Sequence, residues 1–171
     1  MIIKVIGMVI VLASSGLIGF SFAECMASRE RELVNLSHMI DNIINELEFT
    51  MAPIGEIIKT IACRNHSKAN TFMQIMCQEL ERGHGVADAW KCALEKSGPS
   101  MSFKQSDCKY LSSSGFLLES YEIEEQLERL RTLKTRILSL AEEAKKEKDK
   151  NSRTVRMMGI YAGLLLCVII F

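Results

Sequence analysis

Six cysteines are the residues of this chain with the most chemistry to offer: Cys25, Cys63, Cys77, Cys92, Cys108 and Cys167. A thiol can ligate zinc, close a disulfide or attack an electrophile, and the first two depend on spacing. No two of these cysteines form a C-x-x-C pair, and none has a histidine at ligand spacing. His38, His66 and His84 are scattered, so no zinc site is expected. Cys63, Cys77, Cys92 and Cys108 fall about two helical heptads apart, at positions that otherwise read as apolar. That pattern suits reduced thiols acting as small core hydrophobes. Disulfides would require an oxidising compartment, which the charge pattern beside the apolar ends argues against.

Other chemistry-bearing patterns are equally thin. Glu46 and Glu48 are two positions apart, so a helix points them roughly 200° from each other and they form no carboxylate dyad. Gly83-His-Gly85 is too short to cradle a phosphate and follows no strand; it reads as a turn. Walker, H-E-x-x-H, G-x-S-x-G and Rossmann patterns are absent. We therefore expect no enzyme, no cofactor and no bound metal. Lys plus Arg number 21 and Asp plus Glu number 21. That balance argues against nucleic acid, whose binders carry a basic excess.

Both ends of the 171-residue chain are apolar. Residues 157–171, from Met157 to Phe171, carry no charge and follow a basic run of Lys145, Lys146, Lys148, Lys150, Arg153 and Arg156. A cationic collar before an apolar segment places the collar on the cytoplasmic side of a bilayer. Residues 1–23 hold one charge, Lys4, and are followed by Arg29 and Arg31. Two readings compete there: a retained transmembrane helix, or a leader cleaved after Ser21-Phe-Ala23. The agreement of the two collars favours the retained anchor. The C-terminal span would cover only ~22 Å at helical rise, so it needs local thinning or a partner helix. The expected organisation is a transmembrane helix at 1–23, a cytoplasmic domain at 24–156 and a second transmembrane helix at 157–171.

The central ~130 residues suffice for one helical domain with a modest core. Leu33, Leu36, Ile40, Ile43 and Leu47 recur at three and four, with Ile44 and Met51 widening the stripe of a helix over 29–51. Pro53 ends that helix or opens the next, which carries Ile54, Ile57, Ile58 and Ile61; Asn65-His-Ser67 is a break. A third helix over 68–82 shows Phe72, Ile75, Met76 and Leu80, and Gly83 stops it. A fourth starts near Val86 with Ala89, Trp90, Ala93 and Leu94. Trp90 is a core anchor or, as a minority reading, a partner hot spot. After the Ser97–Ser100 loop, Ser102 and Gln105 have capping-box spacing for a short helix with Cys108 and Leu111. Ser112-Ser-Ser-Gly115 ends or kinks it. Ser120 is placed to cap a last long helix, acidic at its start and basic at its end, with Ile123, Leu127, Leu130, Leu133, Ile137, Leu140 and Ala144 as its stripe. First and last helices leave and re-enter one membrane face, so they should pack antiparallel. The fold expected is all-α: an antiparallel six-helix cytoplasmic bundle between two transmembrane helices.

With the elements placed, the chain resembles the stage III sporulation protein AB family of endospore-forming bacteria, nearly end to end. The markers are Glu46-Leu-Glu-Phe-Thr-Met-Ala-Pro53-Ile54, Leu80-Glu-Arg-Gly83 followed by Ala89-Trp90, Lys150-Asn151, and Gly159-Ile-Tyr-Ala-Gly163-Leu-Leu-Leu166, together with a Gly-containing N-terminal anchor. That family is similar in turn to the cytoplasmic domain of the F-type inner-membrane platform proteins of type II secretion and type IV pilus machines. Pro53-Ile54 stands where that domain has Pro-Leu, and Gly83 with Ala87 and Ala89 where it has a Gly–small–Ala pattern. Gly115 and Leu127 fall near its last motif, which is incomplete here.

The resemblance implies a part of the secretion-like channel between mother cell and forespore, with the helical domain on the mother-cell side. It implies contact with a cytosolic secretion-type ATPase, the stage III sporulation protein AA of that system, with other membrane components of the channel and with membrane lipid. Platform proteins carry two such domains and this chain one, so a homo-oligomer would supply the missing copy. The mechanism implied is mechanical coupling of that ATPase to a membrane ring. A passive helical scaffold without an ATPase partner is the competing reading. Pro53, Gly83, Asp88, Trp90 and Gly115 are the structural or partner-contact candidates, with the segment from Glu79 to Asp88 as the contact face.

Overall fold

The computed structural model describes residues 2–64, 68–119 and 122–170, with side chains at 7, 14, 15, 17, 20–62, 71–119, 122–151, 154, 157, 158 and 161. Among the described residues the regular structure is helical: α1 (Ile2–Thr50), α2 (Ile54–Arg64), α3 (Lys68–Glu81), α4 (Val86–Ser97), α5 (Gln105–Ser112), a 3-10 turn (Gly115–Leu118) and α6 (Ile123–Ile170). The chain is all-α, as the periodicity predicted. Cys63, His66, Cys167, the break at 65–67 and the Ser120 cap lie outside the described residues or side chains.

Two compact units divide the chain. One joins Met1–Glu30 with Glu143–Phe171. Within it, Arg29 is buried and donates from Nη1 to Glu147 Oε2 at 2.8 Å, while Lys148 pairs with Glu30. Leu17, Phe20, Phe22, Met158 and Tyr161 are each more than half exposed, and Met157 is close to it. Most side chains of the expected anchors at 1–23 and 157–171 lie outside the described ones. Among the described residues, no helix is long and apolar enough to cross a membrane.

The other unit is Arg31–Glu142. Leu33, Leu36, Ile40, Ile43 and Leu47 are all buried, so the three-and-four pattern of α1 is its core stripe. Leu130, Leu133 and Ile137 of α6 are buried in the same core. Within this unit, Lys134 of α6 pairs with Asp41 of α1 at 2.6 Å and Arg131 with Glu48 at 2.6 Å. The earlier α6 residue meets the later α1 residue, so here the two helices run antiparallel. Such half-exposed pairs set register more than stability, at about 0.2–1 kcal/mol each.

Three expectations are corrected in detail. On α3 the buried face is Phe72, Met73, Met76 and Glu79, with Ile75 and Leu80 only half-buried, because the neighbouring helices cover a stripe rotated from the one the apolar residues alone suggested. On α6, Gln126 and Ala141 are buried while Ile123, Leu127 and Leu140 are half-buried. Gln126 is admitted because its Nε2 donates to the Leu118 carbonyl at 3.1 Å, satisfying the amide where it is buried. The α5 cap is Lys104 and Asp107 rather than Ser102 and Gln105: the Lys104 N–H donates to Asp107 Oδ2 at 3.0 Å. Ser102 instead turns the chain at φ 58°.

Candidate functional site

The densest arrangement of charge lies where α3 hands over to α4. Glu79 is on the buried face of α3, its side chain 6% exposed. Lys96 of α4 donates from Nζ to Oε1 at 2.9 Å, Arg82 donates from Nη1 to the same oxygen at 2.7 Å, and His84 Nδ1 lies 2.9 Å from Oε2. The Lys96 hydrogen bond holds the Glu79 pKa down at about 2, against burial, which works in the opposite direction; His84 and Cys92 add to the lowering. The same contact raises the Lys96 pKa, with Cys92 contributing. A carboxylate so tightly held has neither a proton to give nor basicity to take one near neutrality. The cluster is a pin between two helices.

Gly83 makes the pin possible. The His84 N–H donates to the Glu79 carbonyl at 3.1 Å and the Gly83 N–H to the Leu80 carbonyl at 3.1 Å, the paired bonds of a Schellman ending. That ending requires a left-handed residue, and Gly83 supplies it at φ +87°. The turn carries His84 back over the carboxylate.

Trp90 sits behind this junction, fully buried. Its ring meets Phe72 edge-on, centroids 5.0 Å apart and planes at 83°. Its Nε1 donates to the Leu111 carbonyl at 2.9 Å, tying α4 to the end of α5. Gly115 lies against it: a Cβ there would stand 3.2 Å from Trp90 Cδ1 and 3.3 Å from the Ala87 carbonyl oxygen. The turn after Gly115 also delivers Glu119, whose Oε1 accepts the Ala87 N–H at 3.3 Å in the first turn of α4. Trp90 and Gly115, far apart in sequence, are thus brought together by packing. Asp88 is exposed in the first turn of α4.

Pro53 belongs elsewhere, at the turn between α1 and α2. It is exposed, and its carbonyl accepts the N–H groups of Glu56 and Ile57 at 2.9 and 3.2 Å, so it opens α2. Met51, expected on the α1 stripe, instead lies past the helix end at φ 51°, and it is 68% exposed. Phe49 beside it is 89% exposed.

The thiols depart from the core-hydrophobe expectation. Cys25 is exposed; Cys77, Cys92 and Cys108 are half-buried; none of these four is in a disulfide. Burial first, and the charge of Asp107 second, raise the Cys108 pKa, which disfavours its reactive thiolate. Among the described residues, no group of three or more His, Cys, Asp or Glu side chains could hold a metal ion.

The model of the stage III sporulation protein AB family matches residues 4–171. The chain belongs to that family. A Bacillus subtilis (strain 168) relative, stage III sporulation protein AB, is 22% identical over 169 residues, covering 98% of this chain and 99% of that one. A solved structure of a stage III sporulation protein AB aligns with a TM-score of 0.62 at 18% identity, over 72% of this chain and 98% of that one. That likeness is one of fold. The stage III sporulation protein AB family is a sporulation family.

Within this family frame, the sequence placed Glu79 at the start of an exposed contact face running to Asp88, whereas the structure buries its side chain. Its place in the apolar series of Phe72 and Met76, at three and seven, was the available signal. Its chief partner is 17 positions away on another helix, which no local pattern reveals.

Proposed function

We propose that this sporulation protein is a membrane platform with two anchored ends, whose helical insert engages a cytosolic secretion-type ATPase on the mother-cell side of a channel complex. The observation that carries the reading is the unit formed by the two chain ends. It gathers Leu17, Phe20, Phe22, Met157, Met158 and Tyr161 as exposed large apolar side chains. Exposed apolar surface of that kind needs a partner or lipid. Basic residues follow one apolar segment and precede the other, which favours a cytoplasmic insert. On this reading the insert binds and transmits force, with nucleotide chemistry left to the ATPase. Pro53 and Asp88 are exposed candidates for that contact, while Gly83, Trp90 and Gly115 hold the surface in shape.

Two measurements test the reading. In sporulating cells the protein should stay with membranes through alkaline carbonate extraction, and release into the soluble fraction would end the anchored reading. An impermeant maleimide applied outside intact mother cells should leave Cys77 and Cys92 unlabelled until the cells are opened. Labelling beforehand would invert the orientation and remove the ATPase from reach.

A further inference from the structure

The turn joining α1 to α2 presents apolar bulk with no internal use. Phe49 and Met51 are 89% and 68% exposed, and Thr50 and Pro53 beside them are exposed too. Met51 reaches this position through a left-handed backbone that L residues enter only at a cost. The residue therefore leaves the core stripe that its spacing predicts and stands outside.

The electrostatic frame is one-sided. No Lys or Arg occurs between Arg31 and Lys59, while Asp41, Glu46, Glu48 and Glu56 all do; Glu32, also in that stretch, is buried. Lys134 and Arg131 of α6 answer Asp41 and Glu48. Glu56 remains exposed in the first turn of α2, and the last turn of α1 carries no basic residue against its partial negative charge. This charge decides among occupants. An anionic lipid surface would be repelled. A second copy docking turn to turn across a two-fold axis would set carboxylate on carboxylate.

We infer that the α1–α2 turn, through Phe49 and Met51, is the docking point for a protein partner that presents an apolar pocket rimmed by Lys and Arg. Aromatic and methionine side chains are enriched where protein interfaces are most buried, and methionine adapts to the pocket it meets. The inference rests on the platform reading, in which that partner is the ATPase.

The test uses the full chain in phosphatidylcholine nanodiscs, with the purified secretion-type ATPase as probe, by biolayer interferometry at low and high salt. Phe49→Gln with Met51→Asn removes the apolar bulk, and asparagine accepts the left-handed backbone. Phe116→Gln with Leu138→Gln is the control, at exposed apolar residues elsewhere in the same unit. The turn variant should bind at least about tenfold more weakly and the control within about twofold, with wild-type affinity falling as salt rises. Equal binding by the turn variant overturns the inference and leaves the platform reading standing. No binding by the wild type defeats the platform reading, and the inference with it. If mass photometry shows that the turn variant alters only self-assembly, a second copy is the occupant and the inference fails.

Discussion

Lys96 of α4 donates to Glu79 of α3 at 2.9 Å, closing the handover between two helices with an ion pair whose carboxylate is buried and whose ammonium is half outside. The pair should make this region sensitive to acid. Glu79 ionises at about 2 in the folded protein against 4.5 ordinarily, so the native state holds the proton less tightly than the unfolded chain. Its contribution is fully present above about pH 4.5 and is lost as pH falls toward 2. Urea melts from pH 7 down to pH 2 should show a steeper loss of stability across that window in the wild type than in Glu79→Gln. Glu79→Gln should also be the less stable of the two at pH 7. Parallel pH profiles would show that the carboxylate is not pinned.

Removing the cation should tell the same story from the other side. Lys96→Met retains much of the stem but leaves Glu79 to Arg82 and His84. NMR titration of the Glu79 carboxyl carbon should then report a pKa nearer the ordinary carboxylate value, because the leading cause of its depression is gone.

Trp90 supplies packing and a hydrogen bond that can be separated. Trp90→Phe keeps a ring beside Phe72 but leaves the Leu111 carbonyl without its donor, which should cost about 1–3 kcal/mol in denaturant unfolding. Trp90→Ala adds a large cavity and should cost about 3–5 kcal/mol. Equal losses for the two would assign the whole effect to the hydrogen bond.

Gly115 and Gly83 should respond to alanine for different reasons. Gly115→Ala presses on Trp90 and on the Ala87 carbonyl, an overpacking cost of about 1–3 kcal/mol. Gly83→Ala meets no atom within 4 Å, yet should lose about 1–2 kcal/mol because φ +87° disfavours any Cβ. Gly83→Asn should recover part of that loss, whereas Gly115→Asn should be worse than alanine.

Met51 offers the opposite sign. Met51→Gly relieves a left-handed non-glycine residue that buries little, so the midpoint of chemical unfolding should rise by an amount corresponding to about 0.5–1 kcal/mol. A fall would mean that the methionine side chain packs in a way its exposure does not suggest.

The sequence by itself determined the helices and most of their buried faces. Spacing at three and four is a property of one helix, so Leu33 to Leu47 on α1 and Ile54 to Ile61 on α2 could be read without a partner. Gly83 was legible for the same reason, since a helix ending is a local event. Tertiary structure decided which polar residues the core accepts. Glu79 and Gln126 are buried only because Lys96 and the Leu118 carbonyl come to meet them, and those groups are 17 and 8 positions away. It also decided that Trp90 lies on Gly115 and that Met51 turns outward. Burying a charge or seating a ring on a glycine depends on what another element brings into contact, and periodicity along one helix carries no record of that.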